Sequence, residues 1–235
     1  APVRWRHPAR GLLAPDSFIE LAEQSGLILP LGQWVLQAAC EQLARWSHGP
    51  ATAGWTMSIN VSARQFQDPA FASRVQSVIE STGAAPGLIH LELTESTFLT
   101  DVEKSILKMQ SLQAMGVRFA LDDFGTGYSS LSYLKRLPLN QLKVASAFVQ
   151  GLPGDPDDAA ITTTILTLAR TLDLQIVAEG VETEAQFDFL LQHGCNTFQG
   201  HLFGGPMSAQ DAVRLFAPLE PGSGAHESQP SHNTE

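Results

Sequence analysis

At 235 residues with 43% hydrophobic content, the chain is long enough for one large domain with a substantial core. Its net charge of −10, with no run of Lys or Arg, argues against a general DNA, RNA or anionic-membrane binder, because phosphate surfaces attract basic ones. No apolar stretch reaches the roughly 18 residues of a membrane span, and Cys40 and Cys195 lack zinc or redox spacing, so they read as ordinary buried thiols.

Residues 1–5 are too short to assign. Pro15 and Asp16 open an amphipathic stretch that runs to Ser25 and stops at Gly26. A longer helix is expected from about Leu31 to Trp46. TMSINV, Thr56 to Val61, reads as a strand, and Phe71 to Thr82 as a helix with Phe71, Val75, Val78 and Ile79 on one face. The next strand is Leu88 to Leu93, followed by a helix from Val102 to Met115 that Gly116 ends.

Val117 to Leu131, VRFALDDFGTGYSSL, is the most informative stretch. Its first residues have the mostly apolar pattern of a strand buried on both faces, so a strand is expected over Val117 to Asp122. It then presents two adjacent carboxylates, Asp122 and Asp123, before a loop with Gly125 and Gly127. Such a pair is costly to desolvate unless something cationic shares its site; the alternative is a helix cap and a turn. Further on come a short strand at Leu142 to Val144, a helix at Asp158 to Leu172 and a strand at Leu174 to Ala178. A helix at Glu184 to His193, a short strand at Thr197 and Phe198, and a helix at Ala209 to Phe216 complete the domain. From Pro218 onward the composition is that of a disordered tail, which divides the chain into a domain over 1–217 and a tail over 218–235.

Strand and helix alternate at least six times, so a parallel sheet with helical crossovers is expected, either doubly wound or TIM-like. GTGYSS has the wrong spacing and place for a dinucleotide fingerprint. DFG lacks the HRD and VAIK partners of a kinase.

Successive strands leave polar groups at the same end: Asn60, then Glu92 with Glu95, then Asp122 and Asp123, Lys143, Glu179 and Gln199. In a barrel these ends converge on one face, where such folds place their chemistry. Carboxylates with an Asn oxygen are hard ligands that suit Mg²⁺, Mn²⁺ or Ca²⁺ better than zinc. Acid groups around two metals are a usual arrangement for phosphodiester hydrolysis, with a lysine to orient water and a carboxylate to accept its proton.

The stretches VRWRHPARGLLAPDSFIELAEQSGLI, SINVSARQFQDP, LELTES, DDFGTGYSSLSYLKRLP, LKVASAFV, IVAEGVET and CNTFQGHLFGGP run in order from residue 1 to about 216. In them the chain resembles the EAL domain family, bacterial phosphodiesterases that cleave cyclic di-GMP. The resemblance implies a modified TIM (β/α)8 barrel with one strand reversed and hydrolysis of cyclic di-GMP to linear pGpG. It implies Asn60, Glu92, Asp122, Asp123 and Glu179 as metal ligands, with Mg²⁺ or Mn²⁺, two ions, as cofactor and Ca²⁺ as an inhibitor. Lys143 matches the lysine that holds the attacking water, Glu179 a general base or metal partner, and Asp123 the carboxylate of the second metal. Arg4 matches a contact to substrate phosphate, Gln199 a motif glutamine beside the site, and Glu95 the anchor of the DFGTGYSS loop. A homodimer and an upstream fused signalling domain follow from the same resemblance, and a cytoplasmic location is expected because neither a membrane span nor a signal peptide is visible.

The chain departs from the family pattern in three places. It begins at Ala1, its first methionine is Met57, and the signature Glu that should precede Ala1 is absent, with Pro2 where the motif has Leu. This reads as an excised domain that lacks the family's first strand. Lys143-Val144-Ala145 stands where the family reads Lys-Ile-Asp, so a second-metal carboxylate is missing. Gly205 replaces a common Arg before Pro206. Three readings therefore stand: an active phosphodiesterase, a cyclic di-GMP receptor without turnover, and a scaffold without nucleotide.

Overall fold

Six residues, Trp5 to Leu13 less their turn, form a small hairpin ahead of any helix. β1 (Trp5–His7) pairs antiparallel with β2 (Gly11–Leu13), with Arg6 opposite Leu12. The turn closes on His7, whose Nδ1 accepts from the Ala9 and Arg10 N–H groups at 3.1 and 3.2 Å. Trp5 lies edge-on to His7 and to Phe18, centroids 4.8 and 5.7 Å away. Three-residue strands carry too little alternation to announce themselves in sequence.

The computed structural model describes residues 2–98, 101–126 and 131–216. The tail over 218–235 and the 127–130 part of the glycine loop lie outside the described residues. α1 (Ile19–Ser25) ends at Gly26, whose φ of 80° is left-handed, and α2 (Ile28–Ser47) follows at once. The helix expected from Leu31 starts three residues earlier. Pro30 falls in its first turn, where the missing N–H has no intrahelical partner to lose.

Then come β3 (Met57–Asn60), α3 (Ala63–Gln67) and α4 (Phe71–Thr82). β4 (Ile89–Thr94) leads through a 3₁₀ turn at Glu95–Phe98 to α5 (Val102–Gln113), capped by the Asp101 carboxylate at Lys104 N–H, 3.1 Å. β5 (Arg118–Phe124) and α6 (Leu131–Leu134) are followed by β6 (Gln141–Val144) and α7 (Ser146–Val149). α8 (Pro156–Thr171), β7 (Gln175–Glu179), α9 (Glu184–Gln192), β8 (Phe198–Gln199) and α10 (Ala209–Phe216) complete the order.

The six strands β3 to β8 pair in parallel and in chain order, with β3 and β8 at the two edges. With helices between them, as the alternation predicts, they make the curled half of a modified TIM barrel, the fold that the resemblance implies. One face carries Ile59, Leu91, Leu93, Phe119, Leu121, Leu142 and Val144, all at most 2% exposed, against the helices. The two-residue period sends Asn60, Glu92, Asp122, Lys143 and Glu179 to the other face. β5 runs two residues past its expected end at Asp122. Between Leu121 and Phe124 its register with β6 shifts, and Asp123 takes φ 51°.

α3 went unforeseen, yet its start is a capping box. Ser62 Oγ accepts from Gln65 N–H at 3.2 Å, and Gln65 Oε1 accepts from Ser62 N–H at 3.2 Å. The Gln65 side chain then lies against Gly32 of α2, where a Cβ would stand 1.6 Å from Gln65 Nε2. Helix propensity alone favours alanine over glycine by about 1 kcal/mol. Gly32→Ala is nevertheless expected to destabilise the domain by about 1–3 kcal/mol through overpacking. Denaturant unfolding checks this, and Gln65→Ala in the same background should recover part of the loss.

Candidate active site

Two neighbouring residues of a regular strand point to opposite faces. Asp122 and Asp123 can serve one site because the backbone departs from that pattern. The register shift after Leu121 and the left-handed Asp123 form a bulge, a common way to re-aim a side chain. One carboxylate oxygen from each of Asp122, Asp123 and Glu179 then falls within 4.8 Å of the others.

Lys143 holds the centre. Its Nζ lies 2.8 Å from Glu92 Oε1, 2.8 Å from Asp122 Oδ1 and 2.6 Å from Glu179 Oε1. One ammonium thus sits among three carboxylates, contributed by β4, β5 and β7. Lys143 is 3% exposed. Burial opposes its charge, but the Glu92, Asp122 and Glu179 carboxylates outweigh that and hold its pKa above the usual lysine value.

The acids feel the opposite balance. Burial pushes the Glu179 carboxyl up to about 7, against the pull of Lys143 and with the repulsion of Asp122. Burial also raises Asp123, and the Asp122 charge adds to the effect. The cluster therefore carries more negative charge than one lysine neutralises. Its donors are all hard oxygens, so the acidic group is chemically fit to hold a divalent cation such as Mg²⁺ or Mn²⁺.

Asn60, Asp122 and Asp123 line a cavity of about 520 Å³, within the usual size of a small-molecule site. Its other walls include Thr94 at the end of β4, Ser96 just after it, the segment after β3, and α1 and α2. Beside it, Glu95 Oε1 accepts from Gly125 N–H at 3.1 Å, which ties the 3₁₀ turn after β4 to the start of the glycine loop.

The EAL domain profile matches residues 1–206. The chain belongs to the EAL domain family.

This EAL domain is 48% identical over 217 residues to the bifunctional diguanylate cyclase/cyclic di-GMP phosphodiesterase MucR of Pseudomonas aeruginosa, covering 92% of the chain and 32% of that protein. It is 41% identical to the cyclic di-GMP phosphodiesterase NbdA of the same organism, covering 88% of the chain and 26% of that relative. The chain thus spans about a third or less of the curated relatives it matches. A solved PaMucR phosphodiesterase in complex with c-di-GMP superposes with a TM-score of 0.84 at 48% identity, covering 88% of this chain and 84% of that one.

The remaining candidate residues of the EAL domain lie around the cluster. Gln199 ends β8 directly opposite Glu179 in the strand register. Arg4 precedes β1, and its Nη1 donates to the Val3 carbonyl at 3.1 Å; Pro2 and Val3 line the cavity beside it. Arg4 is therefore near the cavity mouth but makes no ion pair with the cluster among the described residues. Ala145 follows β6 directly and is 1% exposed, so this strand end supplies no carboxylate. The turn after Glu179 packs tightly on it: a Cβ on Gly180, φ 70°, would meet Ser146 Cβ at 2.6 Å. Sequence reasoning missed the walls from α1 and α2, including Glu23, and it missed Gln65. The S-x-x-Q capping signature at Ser62 was the signal available for the latter.

Among the described residues no helix is long and apolar enough to cross a membrane.

Proposed function

We propose that this EAL domain hydrolyses cyclic di-GMP to linear pGpG with Mg²⁺ or Mn²⁺ as cofactor. The observation that carries the proposal is Lys143 Nζ, held at 2.6–2.8 Å from Glu92, Asp122 and Glu179 on the face that Asp123 completes. The names of MucR and NbdA, and the c-di-GMP complex of the structural neighbour, support the substrate.

Asn60, Glu92, Asp122, Asp123 and Glu179 would hold the metal, two ions when the site is fully loaded. Bound there, the metal supplies Lewis acidity at the phosphodiester and makes the attacking water more acidic. The residues of the chain do the rest. Lys143 orients that water, which requires one of its three carboxylate contacts to open. Glu179, with its proton affinity poised near neutrality, accepts the water proton. The water oxygen bonds to phosphorus, the bond to the ribose 3′ oxygen breaks, that oxygen takes up a proton from solvent, and a linear dinucleotide with a 5′ phosphate results. Arg4 and Gln199 contact the substrate phosphates, and Glu95 holds the loop that shapes the site. Ca²⁺ occupies the cluster and supports little turnover. The domain acts as a homodimer, in the cytoplasm, within a longer signalling protein.

Incubation of the chain with cyclic di-GMP and Mg²⁺ or Mn²⁺ should yield pGpG, read by chromatography. Tight binding without product would replace hydrolysis with the receptor reading. One observation favours that second reading: the buried methyl of Ala145 where the family motif has a carboxylate. Ala145→Asp is therefore expected to raise turnover at saturating metal. An unchanged rate removes Ala145 as the cause of any weak activity.

A further inference from the structure

Two of the cluster carboxylates run into a glycine turn, with Gly125 two residues after Asp123 and Gly180 directly after Glu179. Both turns rest on the same short helix, α7 (Ser146–Val149). Ser146 fills the space beside Gly180, and Phe148 does the same at Gly125. Gly125 takes φ 99°, and a Cβ there would meet Phe148 Cε2 at 2.8 Å and Ile165 Cδ1 of α8 at 3.2 Å. With its N–H donated to Glu95 Oε1, Gly125 is held by a hydrogen bond and by an aromatic ring. The helix is itself fixed by its neighbours. Thr162 Oγ1 of α8 donates to the Phe148 carbonyl at 3.2 Å, and Gln186 Nε2 of α9 donates to the Gln150 carbonyl at 3.3 Å. Thr162, Gln186 and Val149 are all buried.

An aspartate at φ 51° is strained and persists only where its surroundings leave the backbone no alternative. The bond closing the turn locally, from Thr126 Oγ1 to the Asp123 carbonyl at 2.9 Å, is exposed to competing water. Phe148 and Ile165 supply the further constraint, because they occupy the volume into which Gly125 would have to move. Without the ring the turn can relax towards a regular strand, which would send the Asp123 carboxylate to the opposite face. We infer that α7 buttresses the carboxylate cluster and that Phe148 is a positioning residue, holding Asp123 at the metal site through Gly125. This rests on the metal-dependent reading above and adds to that site a residue with no ligand atom of its own.

Calorimetric titration of Mn²⁺ into the metal-free 235-residue chain tests it. Phe148→Ala should weaken Mn²⁺ binding by about 10- to 100-fold, the usual effect of losing a group that orients a metal ligand. The milder Phe148→Leu keeps much of the apolar volume and should fall between Phe148→Ala and the unsubstituted chain. Leu112→Ala, at a buried position of α5 that meets neither glycine, is the stability control. It should lower the denaturant midpoint through its cavity and leave Mn²⁺ affinity unchanged. Unchanged Mn²⁺ affinity in Phe148→Ala, or in Phe148→Leu if the alanine variant does not fold, overturns the inference and leaves the metal site intact. An equal loss of affinity in Phe148→Ala and Leu112→Ala also overturns it, because the effect then follows stability alone. An unsubstituted chain that binds no Mn²⁺ overturns the metal-dependent reading and the inference with it.

Discussion

Lys143→Met is expected to abolish pGpG formation and to destabilise the metal-free domain by about 3–5 kcal/mol, the usual cost of removing one partner from a buried ion pair. The methionine keeps the apolar length of the side chain and removes only the charge. Glu92, Asp122 and Glu179 would then face one another with no cation between them, each 14% exposed or less. Like charges so close cannot all remain ionised, so protons must replace the ammonium. Added Mg²⁺ supplies the missing charge, and the shift in melting temperature on adding it should be larger in the variant than in the parent. Lys143→Arg should not restore turnover, because a planar guanidinium cannot point its donors at three carboxylates arranged around one atom. Unaltered stability and turnover in Lys143→Met would show that the triple contact has no part in either.

Glu179→Gln is the second large effect. Loss of a positioned proton acceptor lowers turnover by about 10²–10⁴-fold, while cyclic di-GMP binding measured in Ca²⁺ should persist. The same variant tests the proton linkage. The Glu179 carboxyl rises from 4.5 to about 7 on folding, so between those pH values the folded chain keeps a proton that the unfolded chain has released. Unfolding free energy therefore falls as pH rises through that window, by up to about 3 kcal/mol for this group. Asp123, raised for the same reason, adds in the same direction. Metal-free protein should be more stable at pH 5 than at pH 7.5 by more than Glu179→Gln is, as read from denaturant midpoints. A parallel pH dependence in the two proteins would remove Glu179 as the titrating group.

Much of this was legible because strand alternation and strand-end polarity survive in a linear sequence. The ends at Asn60, Glu92, Asp122, Lys143 and Glu179 were visible as positions, and the sheet brings four of them into contact. What stayed hidden depends on three dimensions. That Lys143 touches three carboxylates at once follows from the curl of the sheet, which no local pattern encodes. The bulge at Asp123 was implicit in two adjacent acids, since a regular strand would have split them between faces; reading the pair as a strand followed by a loop misplaced the end of β5. The hairpin of β1 and β2 was too short to show a period, and the cavity wall around Glu23 comes from helices whose pattern announces only their buried side.

The six parallel strands pair strictly in the order in which they are synthesised. Each strand leaving the ribosome meets an edge made by the strand just before it, so the sheet can grow one unit at a time, N-terminal end first. Glu92, Asp122 and Lys143 come together once β6 has joined, and Glu179 arrives only with β7. A nascent chain halted between these two strands already has its internal cation paired with two acids, but lacks Glu179. Completion of the carboxylate cluster around Lys143 is thus among the last steps of this domain's own translation.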